Sequence, residues 1–344
     1  MNLEHLEQRL ESLSNKHPKG RLGFTIGTLT SYVLEPDFYL TPIRTSSRIV
    51  YTGAIVRNVE TALNLIKIVD SKVAYIFVDS EKKVSESNYG LNDVGNIEKA
   101  VANNISSATL LTYKGNDLTV QSADKLLRVL APNLTGAKVA IAGVGNIGMK
   151  LALALLERGN SVFLYSQDTS HSVEVAKLLN KLKLKTTIAR AFSAKNLIEA
   201  VEGAQVLIAT SNKKRFIGPE HVNLMKPIKD FSPPLLIDVG KGCFRDEVSG
   251  GHQIVVRVDV GDELSSEIDS LINLHELQIS TVKVKIIGDT RFVVRGVVGR
   301  KGDVLVDDLT APTSILGVCD GDGNLDSSST QHLEELLRKV QSIS

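Results

Sequence analysis

The sequence predicts an α/β protein with a doubly wound parallel sheet at its centre, an α/β domain ahead of it and a small β-rich extension behind. Three observations carry this. Strand-like and helix-like patterns alternate from residue 56 onward, as parallel sheets with crossover helices require. A glycine-rich turn at 143–148 stands between an apolar strand and a helix. From residue 282 the helical period disappears, and short β-branched runs follow one another across glycine turns.

The elements follow in chain order. Leu3, Leu6, Leu10 and Leu13 recur at helical spacing, so residues 1–14 form an amphipathic helix. Residues 15–55 are rich in Thr, Ser, Gly and Pro, punctuated by Pro18, Pro36 and Pro42, and yield no element. Residues 56–69 are helical, with Val59, Ala62, Leu63, Ile66 and Val69 on one face. Residues 72–79 (KVAYIFVD) and 108–113 (ATLLTY) are strands, with a helix between them over 96–104. A helix over 119–130 buries Ala123, Leu126, Leu127 and Leu130, and the stretch from Pro132 to Gly136 is a linker. Strands then alternate with helices: 138–142, 161–165, 186–189, 206–210 and 235–239 are strands, and 147–158, 173–182 and 194–201 are helices. Residues 282–287, 291–298 and 303–306 are strands. The Gly/Asp-rich stretch 320–326 is a turn, and 332–340 is the final helix.

Composition limits the function classes. The 40 Lys and Arg residues balance 39 Asp and Glu, so the large basic excess of a nucleic-acid binder is missing. With 42% hydrophobic residues the chain buries a core and is not disordered. Cys243 and Cys319 are too few for a disulfide framework and are expected to be reduced core residues. The seven histidines form no ligand pair, so no metal site is expected. The N-terminus carries Glu4, Glu7 and Glu11 and lacks the apolar stretch of a signal peptide. No window is apolar enough for a membrane span. The expectation is a cytoplasmic protein acting on a small-molecule substrate, without nucleic acid or membrane partners.

Gly143–Val144–Gly145–Asn146–Ile147–Gly148 fits G-x-G-x-x-G in the context that gives the motif meaning, after the strand KVAIA and before a helix. Gly143 permits the tight turn. Gly145 lets the backbone approach a pyrophosphate held by the amides of Asn146 and Ile147 at the helix N-terminus. Gly148 lets the helix pack on the sheet. This predicts a Rossmann-type dinucleotide site. Ser166 and Gln167 end the second strand, and Ser166 has no charge to repel a 2′-phosphate, which favours NADP over NAD. Asp168 either curls back to a ribose or caps the helix that follows. Lys213–Lys214–Arg215 is a solvated loop or meets an anion.

The stretch 134–248 resembles the shikimate/quinate dehydrogenase-like NAD(P)-binding domain, which is also similar to the domain of glutamyl-tRNA reductase and to methylene-tetrahydrofolate and methylene-tetrahydromethanopterin dehydrogenases. The resemblance runs through LTGAKVAIAGVGNIG, SVFLYSQDT, AVEGAQVLIATS and LLIDVGKGCFRDEV. It implies that Thr210 and Ser211 pass the nicotinamide ribose and that Val239 and Gly240 reach the nicotinamide. It also implies a catalytic lysine upstream, for which Lys82 and Lys83 are the counterparts, and an Asn–Asp element at Asn116 and Asp117. Thr45–Ser46–Ser47 only loosely echoes the family's Ser-x-Ser motif.

A lysine oriented by an aspartate is a workable acid/base couple for hydride transfer at a carbonyl. The expected division is a substrate-holding catalytic domain at 1–135, an NAD(P)-binding domain at 136–262, and a β-rich extension at 263–344 that supports a homodimer. The expected function is an NAD(P)-dependent oxidoreductase of a small polar metabolite. A methylene-tetrahydrofolate or pterin dehydrogenase, and a non-catalytic NAD(P)-binding sensor or scaffold, are the alternatives.

Overall fold

The computed structural model describes residues 3–28, 38–81, 97–228, 233–240, 242–249, 255–279, 284–309 and 312–326, together with 335, 336, 338 and 341. It divides into two compact units, Met1–Asp269 and Ser270–Ser344.

The first unit opens with helix α1 (Leu3–Ser14), whose Leu6, Leu10 and Leu13 are buried. Strands β1 (Leu22–Thr28), β2 (Phe38–Thr45) and β3 (Val50–Val56) follow, then α2 (Val59–Val69), β4 (Tyr75–Asp79), α3 (Ile97–Ala102) and β5 (Thr109–Tyr113). They build a five-stranded sheet in the order β2-β3-β1-β4-β5. The β2–β3 pair is antiparallel and the remaining pairs are parallel. Three of these strands occupy the stretch 15–55 that the sequence leaves unassigned. Their polar composition is a packing requirement: a Cβ on Gly53 would sit 1.9 Å from the Thr25 hydroxyl oxygen on β1. Strand β1 is buried along nearly its whole length, as a central parallel strand must be. The leucines of α1 pack with Phe24, Ile26, Leu65 and Ile66 in one cluster. Each fully buried leucine contributes about 1.5–3 kcal/mol.

Asp70 ties α2 to the turn before β5. Its carboxylate accepts from the Ser106 N–H at 2.9 Å, the Ser106 hydroxyl at 2.8 Å, and the N–H groups of Ser107 at 3.1 Å and Ala108 at 2.8 Å. Burial pushes its pKa up, but these bonds outweigh burial and hold it below the usual carboxylate value. A depressed folded-state pKa gives stability that is complete above the unfolded value of about 3.9 and is lost as pH falls through the folded one. Asp70→Asn is therefore expected to lower stability at pH 7 by about 2 kcal/mol. Denaturant titrations should show the gap to wild type narrowing below about pH 4. A gap unchanged at low pH contradicts the role given to the carboxylate.

Next come α4 (Gly115–Leu130), β6 (Lys138–Ala142), α5 (Asn146–Glu157), β7 (Ser161–Tyr165), α6 (Thr169–Leu182), β8 (Ala191–Ser193), α7 (Leu197–Val201) and β9 (Val206–Ala209). They are followed by α8 (Pro219–Val222), β10 (Leu235–Asp238), α9 (Asp246–Ser249), β11 (Val255–Arg257) and α10 (Gly261–Ile279). Six strands form a second sheet in the order β11-β10-β9-β6-β7-β8, parallel throughout. One face packs on α4, α5 and α6 through Leu127, Leu151, Leu155 and Val175. The other packs on α7 and α8 through Leu197, Val201 and Val222. The chain leaves β6 toward β7 on one side and leaves β9 toward β10 on the other. A crevice therefore opens at the carboxyl ends of β6 and β9, where parallel sheets place their ligands. Two expectations are corrected here. The strand expected at 186–189 lies at 191–193, because Ala191–Ser193 pairs with β7 while Ile188 is 93% exposed. The 19-residue helix α10 and strand β11 were not foreseen. Within this unit α10 docks through Ser265 to the Tyr51 hydroxyl at 2.8 Å and through Asp269 to the Ser47 hydroxyl at 2.7 Å.

The second unit carries β12 (Val284–Ile287), β13 (Thr290–Val294), β14 (Val304–Val306), β15 (Ile315–Cys319) and β16 (Leu325–Asp326), paired in chain order as one sheet. Phe292, Val304, Val306 and Leu336 are in its core. The 320–326 stretch is the β15–β16 hairpin turn, held by Asp320 accepting from the N–H groups of Asp322 at 2.8 Å and Asn324 at 3.0 Å. Most of the helix expected at 332–340 lies outside the described residues. Among the described residues, no helix is long and apolar enough to cross a membrane.

Candidate functional site

The crevice at the ends of β6 and β9 is a cleft of about 330 Å³. Its floor is the glycine turn. Gly143 has φ +113°, in the region that favours glycine, and its N–H donates to Tyr165 O at 2.9 Å. A Cβ there would meet the Ser211 nitrogen at 2.6 Å. Gly145 is the N-cap of α5, in extended conformation, and a Cβ on it would have no neighbour within 4 Å. Gly148 is the opposite: its Cβ would fall 2.2 Å from the Gly143 carbonyl oxygen. The first i→i−4 bond of α5 runs from Met149 N–H to Gly145 O at 2.9 Å. The amides of Asn146, Ile147 and Gly148 therefore precede the helical ladder and carry the positive end of the helix dipole.

Around the turn, side chains fix its shape. The Thr210 hydroxyl donates to Gly143 O at 2.6 Å. His171 Nε2 lies 3.0 Å from Val144 O, and since a carbonyl only accepts, that nitrogen carries the proton. Tyr165, Ser166 and Gln167 line the cleft from β7, and Ser211, Asn212, Lys213 and Phe216 line it from β9. Asp168 caps α6: its Oδ1 accepts from the Ser170 hydroxyl at 2.6 Å and the N–H groups of Ser170 at 2.9 Å and His171 at 3.2 Å. The Ser170 hydroxyl bond first, then the backbone bonds, hold its pKa below the ordinary value.

The residues singled out from sequence fall into three groups. Gly143, Gly145, Ser166, Gln167, Thr210 and Ser211 line the cleft. Asn146, Ile147 and Gly148 continue the turn as the first residues of α5. Val239 and Gly240 are not among the lining residues; their N–H groups both donate to Ala209 O at 2.9 Å. Lys82 and Lys83 lie outside the described residues. The Asn116 N–H donates to Glu81 at 2.7 Å, and Asp117 is ion-paired with Lys150 on α5. Of the basic run, Lys213 lines the cleft, Lys214 donates to Gly240 O at 3.0 Å, and Arg215 pairs with Asp246 at 3.2 Å. Sequence reasoning missed His171. Its signal was its place three residues after the cap Asp168, which turns it back toward the glycine turn. Among the described residues, no group of three His, Cys, Asp or Glu side chains gathers as a metal site.

Cys243 is fully buried beneath this edge, and its thiol donates to Ser211 O at 3.1 Å. Burial, then the Asp238 carboxylate, push its pKa up to about 12. Because the thiolate is the nucleophile, iodoacetamide at pH 8 should alkylate Cys243 on the order of a hundredfold more slowly in the native chain than in guanidinium. Prompt native labelling, read by mass spectrometry, would contradict this packing.

No protein-family model and no curated protein matches the chain. Solved structures similar to it include ornithine carbamoyltransferase from Pyrococcus furiosus, 12% identical over 77% of this chain and 90% of that one, with a TM-score of 0.42. The catalytic subunit of M. jannaschii aspartate transcarbamoylase is 12% identical over 78% and 92%, also at 0.42. Ornithine carbamoyltransferase from Gloeobacter violaceus is 15% identical over 73% and 86%, at 0.37. At these scores the likeness is one of α/β layout and carries no activity to this chain.

These are carbamoyltransferases, not shikimate/quinate dehydrogenase-like proteins, and the family expectation is corrected accordingly. With it go the NAD(P)-dependent oxidoreductase activity, the methylene-tetrahydrofolate and NAD(P)-sensor alternatives, and NADP or NAD as cofactor. In the structure Asp117 is ion-paired with Lys150, and of the two roles open to Asp168 it takes that of helix cap.

Proposed function

We propose that this chain binds a phosphorylated small molecule, seating the phosphoryl group on the amides of Asn146, Ile147 and Gly148. The second sheet is then a Rossmann-type doubly wound sheet used for anion recognition. The observation that carries the reading is the open space above Gly145 at the start of a 12-residue helix, where backbone donors and helix dipole converge. Thr210 and His171 hold the turn in shape through the carbonyls of Gly143 and Val144. Lys213 supplies a counter-charge, and Ser166, Gln167 and Ser211 face the remainder of the ligand. Calorimetric titration of the full chain with inorganic pyrophosphate tests this. Saturable binding at one site is expected, and the absence of binding overturns the reading.

A further inference from the structure

Away from the cleft, the Arg57 guanidinium stands apart from the other charged groups of the first sheet. Arg57 directly follows β3 and precedes Asn58, the N-cap of α2, whose side chain accepts from the Thr61 N–H at 2.8 Å. The register pairs Val56 with Thr28, so Arg57 sits at the carboxyl edge of the sheet beside β1. Its Nε and Nη2 atoms are both shielded from solvent, and neither has a hydrogen-bond partner. Arg9, by contrast, donates to Thr41 O at 2.7 Å, and Arg44 donates to Asp259 at 3.2 Å. The carboxylate of Asp79 on the same edge accepts from the Thr28 hydroxyl at 2.8 Å and from the N–H groups of Glu81 at 3.1 Å and Gly115 at 3.2 Å.

N–H donors that are shielded from solvent and left without a partner cost free energy, and these two belong to a charged group. The two orphaned atoms form one edge of the group. That edge presents two parallel N–H donors matched to the oxygens of a carboxylate or phosphate. It lies at the carboxyl ends of parallel strands, where open α/β sheets bind ligands. We infer that Arg57 anchors a second binding site, which takes an oxyanion, the carboxylate or phosphate group of a small molecule, side-on.

The site is tested by NMR of the full chain, following the Arg57 Nε–H and Asn58 amide resonances during titration with sodium phosphate and, separately, sodium acetate at constant ionic strength. Saturable movement with phosphate alone assigns a phosphoryl ligand, with acetate alone a carboxylate, and with both a general oxyanion site. Arg57→Lys keeps the charge but loses the fork, and should weaken the Asn58 response about tenfold or more. Where that variant fails to fold, Arg57→Gln replaces it, and the wild-type titration decides alone because its resonances are assigned through bonds. No movement with either anion, or a linear drift shared with Arg9 and Arg44, overturns the site. The amides of residues 146–148 report separately, so the two sites succeed or fail independently.

Discussion

Gly148→Ala is expected to lower the stability of the chain by about 2–3 kcal/mol, read as a fall in Tm of roughly 5–10 °C. The sign of the effect is the informative part. An alanine within a helix is ordinarily more stable than a glycine by about 0.5–1 kcal/mol. At Gly148 the new methyl would lie 2.2 Å from the Gly143 carbonyl oxygen and 2.9 Å from the Thr210 hydroxyl oxygen. The first contact is with backbone at the sharpest point of the turn, so no side-chain rotation relieves it. The second would break the Thr210 bond that holds the turn. A variant with unchanged or raised Tm would mean that α5 does not pack on the turn in this way.

Gly145→Asp is expected to separate stability from binding. Gly145 has φ −80° and ψ −168°, which any residue adopts, and the space beside it is open. Aspartate is a better N-cap than glycine, because its carboxylate accepts from the second or third amide of the helix. It also favours the positive end of the dipole, so stability should hold or rise by a few tenths of a kcal/mol. The same carboxylate occupies the donors assigned to the phosphoryl group and repels it. Pyrophosphate affinity should fall about 100-fold, since each hydrogen bond to a charged group contributes about 1.5–3 kcal/mol. Calorimetry and thermal melts of the same preparation read both effects. A variant that loses stability and affinity together would point to a structural role for Gly145.

The two glycines also show what was legible in the sequence. Between residues 138 and 165 the expected elements match the observed ones to within a residue, because buried parallel strands read as unbroken apolar runs and the glycine turn marks the helix start. In the first sheet β4 and β5 were legible, but β1 and β3 were hidden because they pack too closely for ordinary strand residues. Gly23, Gly27 and Gly53 would all carry a Cβ within 2.5 Å of a neighbour, and Thr25 and Thr52 are buried polar residues. That composition reads as loop until the pairing partner is known. Helix α10 did carry a signal, Leu264, Ile268 and Ile272 at intervals of four, and its Ile268 and Ile272 are buried. In the site, the glycines were legible because all three fall within one six-residue motif. His171 was not, because only the placing of β7 beside β6 brings its loop to the turn, and for Lys213 the sequence left a solvated loop and an anion contact both open. The family reading went astray for a related reason. A glycine turn between strand and helix reports backbone geometry shared by many α/β proteins, while activity depends on side chains it does not specify.

The central claim is that the amides at the start of α5 hold a phosphoryl group. The most direct measurement is the backbone amide spectrum of the full chain during titration with inorganic pyrophosphate. The account predicts that the N–H resonances of Asn146, Ile147 and Gly148 move downfield together and saturate, with one dissociation constant, and that Gly145→Asp abolishes the movement. Pyrophosphate that leaves these three resonances in place, whether or not it binds elsewhere, would contradict it.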